Sequence, residues 1–221
     1  MAKKPVSVKK QKMVTDIVVH VFLVIVAIVW LIPFIWIIAH SFRGESTGMF
    51  CSTFLPTQYT LDNYIGLFTD VKTMNFPKMF MNTFIIACFT CVISTAFVLM
   101  TAYAMSFLRF RGRRGMMNTA IILNLFPGFL GMIAVYFILR EVGLTNSLTG
   151  LVIVYSAIAG LDYLIAKGFF DTVSSSLREA ACVEGANEWI VFTRIILPLS
   201  KPIVVYTVIS SFLYPWMDFV Y

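Results

Sequence analysis

From Ile17 to Ala39 the chain carries no Asp, Glu, Lys or Arg, and His20 is its one titratable ring. About 20 apolar residues in a helix cross the hydrocarbon core of a bilayer. A run of this length is too long for the apolar part of a secretory signal, and no small-residue cleavage site follows it, so it reads as a retained helix. Further runs lie at Met79 to Leu108, Met116 to Leu139, Leu148 to Phe170, and from Ile203 onward. The expected fold is an all-α polytopic transmembrane bundle with five readable spans, at about 17–39, 79–108, 116–139, 148–170 and 203–221. The chain stops at Tyr221 inside apolar sequence, from which a sixth span is expected beyond it.

Charged residues make up 13% of the chain, about half the share usual in soluble domains, and they cluster between the runs. Such clusters orient a membrane protein; they do not form a phosphate-binding surface, so nucleic acid is not an expected partner. The basic tail 1–16 holds Lys3, Lys4, Lys9, Lys10 and Lys12. Arg109, Arg111, Arg113 and Arg114 follow the second run, and Lys167, Arg178, Arg194 and Lys201 lie around the segment 171–200. The opposite side has Arg43, Lys72, Lys78 and Arg140. The tail and the two richer segments are therefore expected in the cytoplasm, with the N-terminus inside.

Cys88 and Cys91 have a CxxC spacing but no second ligand pair, and they sit in an apolar run. They read as small helix residues, with no metal or disulfide framework implied. His20 and His40 lie at opposite ends of the first run, so no Asp/His cluster for a membrane-embedded enzyme forms there. The arginine cluster has no Lys-Ser/Thr ending, and the sequence has no glycine-rich nucleotide loop. The chain is accordingly read as a non-enzyme that binds no cofactor itself.

Two segments are too long for plain connectors. Between His40 and Lys78, Pro56-Thr57 suggests a turn, with a short helix from Leu61 to Phe68 capped by Thr60 or Asp62. The segment 171–200 is the more informative. Ser176-Leu177-Arg178-Glu179 matches a capping box and opens a helix. Gly185 supplies a stop, and a second helix is expected from Asn187 or Glu188 to Leu197, closed by Pro198. Trp189, Phe192, Ile195 and Ile196 recur at helical spacing along it. Taken alone, the pattern is also that of an interfacial amphipathic hairpin without a partner.

Glu179-Ala180-Ala181, Glu184-Gly185-Ala186 and Ile196-Leu197-Pro198 together resemble the EAA loop of ABC importer permeases, with Glu184 where that family usually has Asp. Pro56-Thr57, Asn63-Tyr64, Asn82-Thr83, Gly143-Leu144-Thr145-Asn146, Phe169-Phe170 and Pro215-Trp216-Met217-Asp218-Phe219 extend the resemblance to the carbohydrate-uptake members, most closely the smaller maltose/maltodextrin-type permease subunit. The resemblance implies a transport domain over 17–221 whose loop 171–200 meets an ATPase. Glu179, Ala180, Ala181, Glu184, Gly185, Ala186, Leu197 and Pro198 would form that coupling element. It further implies two ATPase subunits carrying ATP-Mg, a second permease subunit, an extracytoplasmic solute-binding protein, a carbohydrate substrate and the lipid of a bacterial plasma membrane. The substrate path is expected where Pro127-Gly128 interrupts the third run, since broken helices in transporters often line a cavity. Asn124, Tyr155, Asp162 and Tyr163 are candidates for it, Asp162 also because an ionisable residue in a span is costly; an alternative is that Asp162 pairs with Lys167.

Overall fold

The computed structural model describes residues 8–45, 53–70, 73–125, 128–159 and 162–218. The described residues are mostly helical and contain no strand, only an isolated bridge between Arg43 and Tyr59. The chain divides into two compact units, Met1–Pro77 and Lys78–Tyr221.

In the first unit, α1 (Val8–Ser41) is apolar on every side, with Pro33 inside it. Its apolar window, within Lys12–Ser41, is 0% buried. A helix hydrophobic all round is suited to lipid or to the interior of an assembly, since water would solvate none of its faces well. Beyond α1 the chain folds back on itself. Gly44 N donates to the Gln58 carbonyl at 2.9 Å, and Thr60 N to the Phe42 carbonyl at 2.8 Å. Arg43, 5% exposed, staples this fold: its guanidinium reaches Glu45 Oε2 at 2.8 Å and the Thr53 carbonyl at 2.8 Å. Asn63 Nδ2 donates to the carbonyls of Ser41 at 3.0 Å and Arg43 at 2.9 Å, which fixes the start of α2 (Asp62–Thr69). The cap residue by backbone geometry is Leu61, without a side-chain bond; Thr60 Oγ1 accepts from Asp62 N at 3.1 Å. Of the two expected caps, Thr60 contributes the bond.

The second unit is built on α3 (Phe76–Phe107), a 32-residue helix. The expected third span, 116–139, is not one helix. It is α4 (Arg113–Asn124) followed by α5 (Gly128–Glu141), of 12 and 14 residues. Pro127 lies outside the described residues. A proline removes a backbone donor, crowds the carbonyl four residues back and restricts the residue before it, which is the physical reason to expect a break here. The fourth run is likewise divided, into α6 (Leu148–Ala159) and α7 (Tyr163–Phe170).

After α7 come α8 (Ser175–Val183), α9 (Glu188–Leu199) and α10 (Lys201–Met217). The axis bends by 89° between α9 and α10, so α9 runs crosswise to the helix it feeds. Among the described residues α1 and α3 are each long and apolar enough to cross a membrane, and up to four spans result if each of the two bent pairs counts as one. The buried core of this unit collects where the α8–α9 segment meets the bundle. Val98, Leu99, Ala102, Tyr103 and Met105 of α3 pack with Tyr163, Ala166 and Phe170 of α7, Ala181 of α8, Phe192 and Ile196 of α9, and Ile203 of α10. The segment is therefore seated on the bundle by apolar packing and is no loose connector.

Candidate functional site

Each helix of the α8–α9 hairpin starts at a side-chain cap. Ser174 takes extended backbone angles, and its Oγ accepts from Ser176 N at 3.3 Å. This moves the expected cap: Ser176 lies inside the first turn, and Glu179 is an exposed side chain on the helix, not part of a capping box. The extended conformation belongs to Ser174 because the chain turns there out of α7, two serines earlier than the S-x-x-E pattern suggests. At the other end, Gly185 has φ +91, where a side chain would strain the backbone. Gly185 N donates to the Cys182 carbonyl at 3.1 Å and Ala186 N to the Ala181 carbonyl at 2.9 Å. This pair of bonds is the Schellman arrangement, which satisfies carbonyls left open at a helix end. Asn187 Oδ1 then accepts from Ile190 N at 2.9 Å and starts α9.

Between Val191 and Ile196, α9 widens into a π-helical stretch, and it continues through Leu199. Pro198 does not close it, as the sequence suggested; the bend falls at Ser200. In a regular helix the Pro198 ring would collide with the Arg194 carbonyl and leave it without a donor. A widened turn just before the proline accommodates both problems.

The eight residues expected to act in coupling divide between two faces. Ala181 is buried in the core cluster, and Ala186 and Leu197 are half-buried against that cluster. Glu179, Ala180, Glu184, Gly185 and Pro198 are exposed. The two alanines of the motif thus do different things: Ala181 lets α8 approach the bundle closely, and Ala180 belongs to the outer surface. Val183 shares that surface and is 89% exposed, although apolar. Residues 179, 180 and 183 fall on one side of a helical turn, which makes a small apolar and acidic face.

Three polar residues that the sequence reading did not assemble hold the hairpin to α3. Tyr103 Oη donates to Glu188 Oε2 at 2.5 Å. Arg178 Nε donates to the same oxygen at 3.1 Å, and its terminal nitrogen pairs with Glu188 Oε1. The Arg178 guanidinium, through its hydrogen bond, holds the Glu188 carboxyl below the usual carboxylate range. Glu188 also stands in the first turn of α9, where negative charge suits the helix dipole. The local signal was an acid directly after a good cap residue. Tyr103, 85 residues away, carried none.

The candidates for a substrate path are more dispersed. Asn124 ends α4, exposed, with Nδ2 on the Ala120 carbonyl at 3.1 Å. Gly128 opens α5, and Pro127 lies outside the described residues. Tyr155 is buried with its ring edge-on to Tyr214 at 5.6 Å, and Tyr163 is buried in the core. Neither presents a ring face of the kind expected for sugar stacking, because helix packing already covers both. Asp162 precedes α7 and is exposed. It does not pair with Lys167, whose Nζ instead reaches Asp171 at 2.5 Å. Four residues apart on a helix, that pair faces the same side, which five residues do not. A cavity of about 460 Å³ between α3 and α6 is lined by Ile93, Phe97, Thr101, Val152, Ile153, Ser156 and Ala157, and Asn124, Tyr155, Asp162 and Tyr163 are not among them.

The chain belongs to the family described as binding-protein-dependent transport system inner membrane component, whose model matches residues 95–221. It is 29% identical over 202 residues to the galactooligosaccharides transport system permease protein GanQ of Bacillus subtilis (strain 168), covering 91% of this chain and 71% of that protein. To the maltodextrin transport system permease protein MdxG of the same organism it is 28% identical over 211 residues, covering 94% and 74%. The fold is similar to a chain in the crystal structure of a bacterial ABC transporter involved in the import of the acidic polysaccharide alginate, with a TM-score of 0.68, 24% identity and coverage of 96% and 74%. The family expected from the EAA-like residues is thus the family found.

Proposed function

We propose that this chain is the permease subunit of an ATP-driven importer that moves an oligosaccharide of the maltodextrin type across a bacterial plasma membrane. The observation that carries the reading is the exposed face of Glu179, Ala180, Val183 and Glu184 on a hairpin packed into the bundle. An apolar side chain as exposed as Val183 is a reason to look for a partner surface. No nucleotide loop occurs in this sequence, so the energy is supplied by a separate ATPase pair holding ATP-Mg.

In this reading the hairpin 171–200 is the coupling loop of a transport domain that follows the basic tail 1–16. The tail, Arg109 to Arg114 and the hairpin share the cytoplasmic side, as their lysines and arginines suggest. Closure of two ATPase subunits displaces the hairpin. The bundle and a second permease subunit then rock about the substrate, which is alternating access. The ATPases must contact the two states differently, since a ligand shifts an equilibrium only by its difference in affinity. An external solute-binding protein delivers the sugar. Along the path, Asn124 and Asp162 supply polar groups for hydroxyls, and Pro127-Gly128 belongs to it as the sequence suggested. Tyr155 and Tyr163, being buried, shape the wall.

The maltodextrin and galactooligosaccharide permeases among the relatives support the oligosaccharide class. Uptake of labelled maltotriose and of a labelled galacto-oligosaccharide, in cells with and without this gene, tests it. Maltotriose uptake is expected to fall to background on deletion. If deletion affects neither sugar, the carbohydrate assignment is wrong.

A further inference from the structure

We propose that Tyr103, Glu188 and Arg178 form a latch that makes the hairpin and α3 move as one piece. It deepens the reading above, on which its role in transport rests. The chain connects the hairpin covalently to α7 and α10 only; 67 residues separate the end of α3 from the start of α8, so α3 receives motion from the hairpin through contacts alone. Those contacts are of two kinds. The apolar ones, Tyr103 against Phe192 at 5.1 Å and the neighbouring core, tolerate sliding because dispersion has little directionality. The polar ones do not. One carboxylate takes all three bonds: Oε2 accepts from the Tyr103 hydroxyl and from Arg178 Nε, and Oε1 pairs with the other arm of the guanidinium. Such forked, charge-assisted bonds fix orientation as well as distance.

The arrangement joins three elements at one point. Tyr103 comes from the last turns of α3, Arg178 from α8, and Glu188 from the first turn of α9. Tyr103 is 5% exposed, with its ring also beside Phe107 at 5.3 Å, so its hydroxyl is held at one place. A displacement of α8 or α9 therefore either breaks these bonds or carries the end of α3 with it. Tyr103, Arg178 and Glu188 are positioning residues in this account: they pass the movement on, and none lies on the exposed face assigned to the ATPase.

Hydrogen exchange on the full chain tests the latch, first alone in lipid nanodiscs and then in the complex with its second permease and ATPase subunits. Alone, Tyr103→Phe and Glu188→Gln should each raise exchange in the hairpin 175–199 by about tenfold or more, the loss of a hydrogen bond to a charged group. Arg178→Glu with Glu188→Arg should bring it back towards the wild-type rate, and so separates loss of the pair from a general failure to fold. In the complex, a non-hydrolysable ATP analogue with Mg²⁺ should alter exchange in both the hairpin and residues 99–107 of the wild type. In Tyr103→Phe the hairpin response should remain and the 99–107 response should be lost. Unchanged exchange in the isolated single variants, or a 99–107 response that survives both of them, overturns the latch. A wild-type chain that captures no ATPase overturns the transporter reading instead, and the isolated-chain comparison still decides whether the latch exists.

Discussion

Ala186 donates its backbone N–H to the carbonyl of Ala181 at 2.9 Å, across the glycine turn that joins the two arms of the hairpin. That bond closes the C-terminal end of α8, the helix that carries Glu179, Ala180 and Val183. In the proposed coupling role, function depends on the aim of a short helix whose own length is insufficient for independent stability. Packing of Ala181 and caps at both ends supply the rest.

Gly185→Ala tests the turn. The added Cβ meets nothing within 4 Å, so its cost comes from the φ of +91 alone. About 1–2 kcal/mol is expected, the usual penalty for an L-residue in left-handed backbone. Gly185→Asn should cost less, because Asn tolerates that region better. Thermal unfolding in detergent, with hairpin exchange as the local probe, reads both.

Ser174→Ala and Ser176→Ala separate the observed cap from the one suggested by the sequence pattern. Ser174 accepts the backbone bond, so its replacement should destabilise α8 by roughly 1 kcal/mol. Ser176→Ala, within the first turn, should cost a few tenths at most. Exchange at the first amides of α8 distinguishes the two.

Glu45 makes the fold after α1 sensitive to acid. Its carboxylate accepts from Thr57 Oγ1, and from the backbone N–H groups of Gln58 and Thr57, beside Arg43. These bonds, the Thr57 hydroxyl foremost, lower its pKa from 4.5 to about 2. A depressed carboxyl contributes stability that is present above the unfolded value of 4.5 and is lost as pH falls towards about 2. Exchange at Thr57 and Gln58 should therefore stay protected at pH 5 and rise, after correction for intrinsic rates, between pH 4.5 and 2. Glu45→Gln should show the raised rate already at pH 5.

The first two apolar runs and the hairpin were legible because apolar length and glycine punctuation are local signals. Gly185 reads as a helix stop from its neighbours alone, and the turn is where they place it. The exact cap was misread because Ser174, Ser175 and Ser176 offer the same side chain, and only the path of the chain out of α7 decides which one turns. Pro198 suggested an end where the helix widens and continues, since a π-helical stretch has no compositional mark. Tyr155 and Tyr163 stood as path candidates because aromatic side chains read alike whether their faces are open or packed. The Tyr103–Glu188 bond spans 85 residues, beyond the reach of any periodicity argument.

Capture of the ATPase by the full chain, co-expressed with its second permease subunit, addresses the central claim. Val183 is exposed, so Val183→Asp should leave the stability of the chain within about 0.5 kcal/mol of wild type. The account predicts that wild-type chain co-purifies with the ATPase and that Val183→Asp reduces the amount captured by about tenfold or more, as expected for an apolar anchor at the centre of an interface. A wild-type chain that captures no ATPase, or a Val183→Asp chain that captures it undiminished, would contradict the assignment of this face.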